Sequence, residues 1–171
     1  ALLGRNGAGK STTMKTLMGL VRPRSGRILL RGEPVQGLAP HRIARLGMGY
    51  VPEDRQVFTH HTVHDNLDIA MKQGVDGSDY WTLSRIYEAF PILAERRERM
   101  AGKMSGGEQQ MLSIARTLAG NPSILLLDEP TEGLAPIIVS QIGDLILRLR
   151  DAGSTILLAE QNMRFCLKVA T

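Results

Sequence analysis

Residues 4–11 read Gly4-Arg-Asn-Gly-Ala-Gly-Lys-Ser11. The octet fits G-x-x-x-x-G-K-S/T, a loop whose backbone N–H groups turn inward to cradle phosphate oxygens. Lys10 supplies a mobile cation for the outer phosphates of a nucleotide, and the Ser11 hydroxyl is a ligand for the magnesium that travels with it. A helix opening at Ser11 adds its positive dipole end to the same anion. Gly4, Asn6, Gly7, Gly9, Lys10, Ser11 and Thr12 are therefore the expected nucleotide-binding residues of this stretch. The plainer alternative is a glycine-rich turn before a helix. By average composition the full pattern arises by chance in only about one chain in a hundred of this size.

Such a loop must follow a strand, and only Ala1, Leu2 and Leu3 precede it. Strands run about five or six residues, so the reading is a chain cut inside its first strand and ending at Ala170-Thr171 with no terminating element. The 171 residues, 43% hydrophobic and 22% charged, suit one globular domain with a sizeable core. The net charge of +4 is mild. The basic stretches Arg22–Arg31 and Arg96–Arg99 read as solvated surface, so a nucleic-acid partner is not expected. The single Cys166 cannot form an internal disulfide and fits a reducing compartment. No apolar run approaches bilayer length, so a membrane role is expected to come through a partner.

Working outward from the octet, helix and strand alternate. Helices are expected over Ser11–Leu20, Pro40–Leu46 and Thr62 to about Met71, the last opening on a capping-box-like Thr62-Val-His-Asp65. Strands are expected at Arg27–Arg31 and Gly47–Val51. Val75–Asp79 reads as a turn, and Leu83, Ile86, Tyr87 and Phe90 follow helical spacing. Ile124–Leu127 is wholly apolar between Pro122 and Asp128, as a strand buried on both faces of a parallel sheet should be. Ile138, Ile142, Leu145, Ile146 and Leu149 form a helical stripe after Pro136, and Thr155–Ala159 reads as another buried strand. The block from about 62 to 104 lacks strands and reads as a helical insert in an α/β body.

Asp128 ends the apolar strand, where parallel α/β sheets bind ligands. It can hold magnesium, and the adjacent Glu129 can polarise a water at the far side of a terminal phosphate. Taken alone, Asp-Glu-Pro is also an ordinary turn. Ser105-Gly-Gly-Glu108 precedes a helix expected over residues 108–119. Ser105 and Glu108 make a capping box, yet two glycines and a serine at a helix N-terminus also make an anion site. One nucleotide does not need two phosphate cradles in one chain, and a second chain does.

Gly4–Ser11, Met104–Gln109 and Ile124–Pro130, in that order, resemble the nucleotide-binding domain of ABC transporters over essentially the whole chain. Ser105–Gln109 resembles the family's signature motif, with Met104 where leucine is usual. Tyr50-Val-Pro-Glu53, Thr131-Glu-Gly-Leu-Ala-Pro136 and Glu160-Gln-Asn162 are similar to the ATP-binding subunits of branched-chain amino-acid importers. The resemblance implies a P-loop core with a mainly parallel sheet, truncated at both ends, and a helical subdomain at about 62–104. It implies ATP and Mg2+ as cofactors, and a second ATPase domain that places Ser105, Gly106 and Gly107 on the nucleotide of its partner. It further implies permease subunits, a solute-binding protein acting through them, and a location at the cytoplasmic face of the bacterial inner membrane.

By that resemblance Glu129 is the general base, Ser11, Asp128 and Glu53 surround the metal, and Gln161 senses the terminal phosphate. Three positions depart from the broader family: Glu53 replaces the usual glutamine, Gln161 the usual histidine, and Ala135 the usual aspartate after Walker B. Glu53 accepts but cannot donate when ionised, and Gln161 donates but carries no charge. The adenine-stacking aromatic would lie before Ala1. A soluble ABC-type ATPase acting on nucleic acid or ribosomes stays open as a rival, as does a slow-hydrolysing regulatory module. The gap between phosphate loop and signature holds no heptad run, which argues against the chromosome-handling members. His60, His61 and His64 lack a ligand set and read as surface or partner-facing groups. Cys166 reads as a small core residue.

Overall fold

The computed structural model describes residues 1–170. Strand β1 (Leu2–Leu3) leads through the phosphate loop into helix α1 (Lys10–Leu17). Strands β2 (Leu29–Leu30) and β3 (Glu33–Pro34) precede helix α2 (Pro40–Arg45) and strand β4 (Met48–Val51). Helices α3 (Val63–Asp68), α4 (Leu83–Ala89) and α5 (Pro91–Glu95) follow, then a 3-10 turn at Ala101–Lys103. The rest alternates: α6 (Gly106–Ala119), β5 (Ile124–Asp128), α7 (Pro136–Asp151), β6 (Thr155–Glu160) and α8 (Met163–Val169).

Four strands form one parallel sheet in the order β1-β6-β5-β4. The period-2 alternation of β5 divides the core between its two faces. Leu126 packs with Met14 and Met18 around α1, together with Ile43 of α2. Leu125 and Leu127 pack on the other side with Leu112, Ile114 and Ala115 of α6 and the Ile142–Leu149 stripe of α7. An all-apolar strand is thus required, because neither face meets water. The register sets Leu127 beside Val51 and Leu158, and Asp128 beside Ala159. The carboxyl ends of β5 and β6 therefore open at the same edge.

Several expectations need correcting. The strand expected at Arg27–Arg31 is only Leu29–Leu30, in an antiparallel hairpin with Glu33–Pro34. Its two-residue turn puts Arg31 at φ 53° and Gly32 at φ 86°, the doubly left-handed turn that matches strand twist. The helix expected to reach Met71 stops at Asp68. The signature helix begins at Gly106 rather than 108, because Ser105 is its N-cap. Helix α1 begins one residue early, at Lys10, with Gly9 in the left-handed region at φ 91°. α5 and α8 were not anticipated.

Between residues 62 and 104 the elements are helical, with one isolated bridge from Thr62 to Met100. Val63, Leu67, Ile86, Phe90 and Leu93 pack into the same cluster as α6. The Thr62–Asp65 capping box is present, with both bonds at 3.0 Å. His64 Nδ1 lies 3.0 Å from the Tyr87 hydroxyl and His61 meets the Phe58 ring edge-on. Cys166 is buried, and its burial pushes the thiol pKa up.

Candidate functional site

The site stands at the carboxyl edge of the sheet, where β1, β5 and β6 end. Gly7 and Gly9 hold φ of 83° and 91°, a region nearly closed to residues with a Cβ. These turns fold the exposed loop of residues 5–8 back over the first turn of α1. Lys10, by contrast, is buried. Its ammonium has three protons and three acceptors: Gly4 O at 2.7 Å, Arg5 O at 3.1 Å and Glu129 Oε1 at 2.9 Å.

Glu129 is buried too, and its Oε2 has no hydrogen-bond partner. Its backbone sits at φ 45°, uncommon for a side chain that gains nothing locally from the left-handed region. Its N–H donates to Ala159 O at 2.9 Å, which fixes the turn against β6. Strain of this kind persists only where the surroundings over-determine it, and it clusters at functional sites.

Asp128 is 1% exposed and receives two hydroxyls: Ser11 Oγ at 3.1 Å and the Tyr50 hydroxyl at 3.0 Å. The Tyr50 pKa is raised, first by burial and then by the Asp128 charge. Ser11 and Asp128 present hard oxygens on one spot, the donor type that magnesium takes. These residues fit a magnesium nucleotide.

The other predicted residues are placed less tightly. Asn6 and Thr12 are exposed. Glu53 is exposed, yet near enough that its charge, after the influence of the Glu129 carboxylate and burial, helps hold the Glu132 carboxyl above the usual carboxylate range. The Gln161 side chain is exposed and makes no hydrogen bond among the described residues. Ser105, Gly106 and Gly107 stand at the start of α6, and the structure brings none of them into hydrogen bonding with the phosphate loop. Ser105 and Glu108 form the capping box, with bonds of 2.7 and 3.3 Å.

Four residues were missed as parts of the site. Tyr50 steadies Asp128. Arg55 donates to Glu132 O at 3.1 Å and covers Gly106, where an added Cβ would sit 2.5 Å from its Nη1. Thr131 and Glu160 are joined by a 2.6 Å hydrogen bond between buried side chains. Both residues open stretches singled out by their resemblance to importer ATPases, but nothing in the sequence showed that they meet.

Both the sequence and the fold are similar to those of known proteins. The ABC transporter family model matches residues 1–132. The chain is 48% identical, over 99% of its length and 72% of the relative's, to the high-affinity branched-chain amino acid transport ATP-binding protein BraG of Pseudomonas aeruginosa. It is 39% identical, over 98% of its length and 70% of the relative's, to the lipopolysaccharide export system ATP-binding protein LptB of Haemophilus influenzae. Its fold superposes on a nucleotide-free ATP-binding cassette from an ABC transporter with a TM-score of 0.77 and 26% identity, covering 98% of this chain and 72% of that one. The chain therefore belongs to the ABC transporter family as an ATPase subunit.

Proposed function

We propose that this ATPase binds Mg-ATP against Lys10, Ser11 and Asp128, hydrolyses it with Glu129 as general base, and powers import of branched-chain or other hydrophobic amino acids. One observation carries the reading: the buried contact of Lys10 with Glu129, beside Ser11 on Asp128. Incoming phosphates would take Lys10 from its two loop carbonyls and Glu129, leaving that carboxylate free to accept a proton from water as the water oxygen bonds to the terminal phosphorus and the bond from that phosphorus to the departing ADP oxygen breaks. Bound magnesium would neutralise phosphate charge, held by Ser11 and Asp128 with Glu53 alongside. Gly4, Asn6, Gly7, Gly9 and Thr12 would line the phosphates, and Gln161 would donate to the terminal one.

Ser105, Gly106 and Gly107 would complete the site of a second ATPase domain, as their separation from this chain's own phosphate loop suggests. Residues of about 62–104 would form the helical subdomain that adjoins permease subunits, themselves served by a solute-binding protein. The complex would sit at the cytoplasmic face of a bacterial inner membrane. No described helix is long and apolar enough to cross a membrane.

The importer reading is supported by 48% identity to BraG against 39% to LptB. The match to LptB favours one second reading, the ATPase of a lipopolysaccharide exporter. Affinity purification of the tagged full-length protein from mildly solubilised source membranes separates them. Permeases that transport hydrophobic amino acids support the import reading. Lipopolysaccharide-export permeases, ribosomes or nucleic acid refute it.

A further inference from the structure

Glu160 is a buried carboxylate with no cation beside it among the described residues. It is 2% exposed, and a buried charge is tolerated only when hydrogen bonds replace its water. Four donors do so. Oε1 accepts from Thr131 Oγ1 at 2.6 Å and Thr131 N at 3.3 Å. Oε2 accepts from Gln161 N at 3.2 Å and Asn162 N at 3.3 Å.

The donors come from two separate turns. Thr131 lies two residues past Glu129, in the turn after β5. Gln161 and Asn162 form the turn after β6, where Asn162 Oδ1 caps α8 by accepting from Phe165 N at 3.1 Å. Glu129 N–H reaches the same strand end at Ala159 O. One carboxylate therefore spans the gap between the strained turn that carries Glu129 and the backbone that carries Gln161. Apolar packing of those turns would have met the needs of the core alone.

We propose that Glu160 is a positioning residue for ATP hydrolysis: it fixes the Gln161 backbone relative to Glu129, so that both side chains meet the terminal phosphate of one ATP. The proposal rests on the roles given above to Glu129 and Gln161. It differs from a purely structural role in what it predicts. A structural carboxylate would lower stability and nucleotide binding together. A positioning one acts on the chemical step and acts through Gln161.

The test uses the full-length protein with steady-state ATP turnover and binding of a fluorescent ATP analogue. Glu160→Gln is nearly isosteric but leaves one acceptor oxygen where two served, so one turn loses its anchor. Its kcat should fall about tenfold, as misplacement of a transition-state contact does. KM and analogue affinity should stay within about twofold. Gln161→Ala should also lower kcat, and Glu160→Gln with Gln161→Ala should fall no further than the slower single variant. Unchanged kcat in Glu160→Gln, a rise in KM alone, or losses that multiply in the double variant would each overturn the proposal. If Glu160→Gln does not fold, Thr131→Val removes one donor of the same link. It should lower kcat at constant KM, and an unchanged kcat overturns the proposal. Glu129→Gln separates this proposal from the reading beneath it. Wild-type turnover there removes the general-base role and this proposal with it. Lost turnover there, with Glu160→Gln unaffected, overturns this proposal alone.

Discussion

Replacing Lys10 with methionine tests how tightly the phosphate loop is bound to the Asp-Glu turn before any nucleotide arrives. The Lys10 and Glu129 side chains are 4% and 5% exposed and meet at 2.9 Å, so solvent screening gives little relief. Removing one partner of such a pair typically costs about 3–5 kcal/mol, because the other charge stays buried alone. Glu129 is poorly placed to recover, since Oε2 already lacks a partner. The exposed loop of residues 5–8 can move to admit water, which favours the lower end, about 3 kcal/mol. For a domain of roughly 150–250 residues this lowers Tm by about 6–12 °C. Glu129→Gln should cost less, because Lys10 keeps the Gly4 and Arg5 carbonyls. The double variant should be more stable than Lys10→Met alone, since no buried charge then lacks a partner. Thermal and urea unfolding of the nucleotide-free full-length protein read all three. A Tm of Lys10→Met within about 1 °C of wild type would show the pair to act like an exposed one, typically worth under about 1 kcal/mol. Additive losses in the double variant would refute the coupling.

Two further outcomes follow from the packing and the caps. Gly107→Ala puts a Cβ 2.9 Å from Ile138 Cγ1, an overpacking that should cost about 1–3 kcal/mol in thermal unfolding. Ile138→Ala in the same chain, which removes Cγ1, should recover part of it, and a Gly107→Ala protein as stable as wild type would contradict the contact. Hydrogen bonds from Thr62 hold the Asp65 carboxyl below its usual range. Its folded pKa lies below the unfolded one, so its contribution is complete above the ordinary carboxylate range and is lost as pH falls through the depressed value. Between pH 7 and 3 the wild-type Tm should fall more steeply than that of Asp65→Asn, and parallel curves would rule the cap out as a source of acid sensitivity.

What was legible in the chain was local. The octet 4–11 declares itself because its chemistry is contiguous. Ile124–Leu127 does so because only a doubly covered strand can be wholly apolar. Thr62 with Asp65, and Ser105 with Glu108, announce helix starts because a cap and its partner lie three residues apart. The β2–β3 hairpin was hidden because Arg31 takes a left-handed φ that its type does not advertise. α5 and α8 are short, and Phe165, Cys166 and Val169 bury themselves with too few turns to show a period. The supports of the site were invisible for a different reason. Tyr50 reaches Asp128 across 78 residues and Thr131 reaches Glu160 across 29. Such pairs exist only once the sheet has aligned its strand ends. The exposed positions of Gln161 and Ser105 likewise follow from where β6 ends and α6 begins, which spacing alone does not give.

In the proposed function Glu129, held by Lys10 in a strained turn beside Asp128, is the base that activates water for ATP hydrolysis. Its most direct test is Glu129→Gln in the full-length protein, with ATP turnover and ATP binding measured on the same sample. Its kcat should fall by at least about a hundredfold, the scale of a lost general base, while ATP affinity is kept. Turnover at the wild-type rate, with ATP bound as tightly, would contradict it.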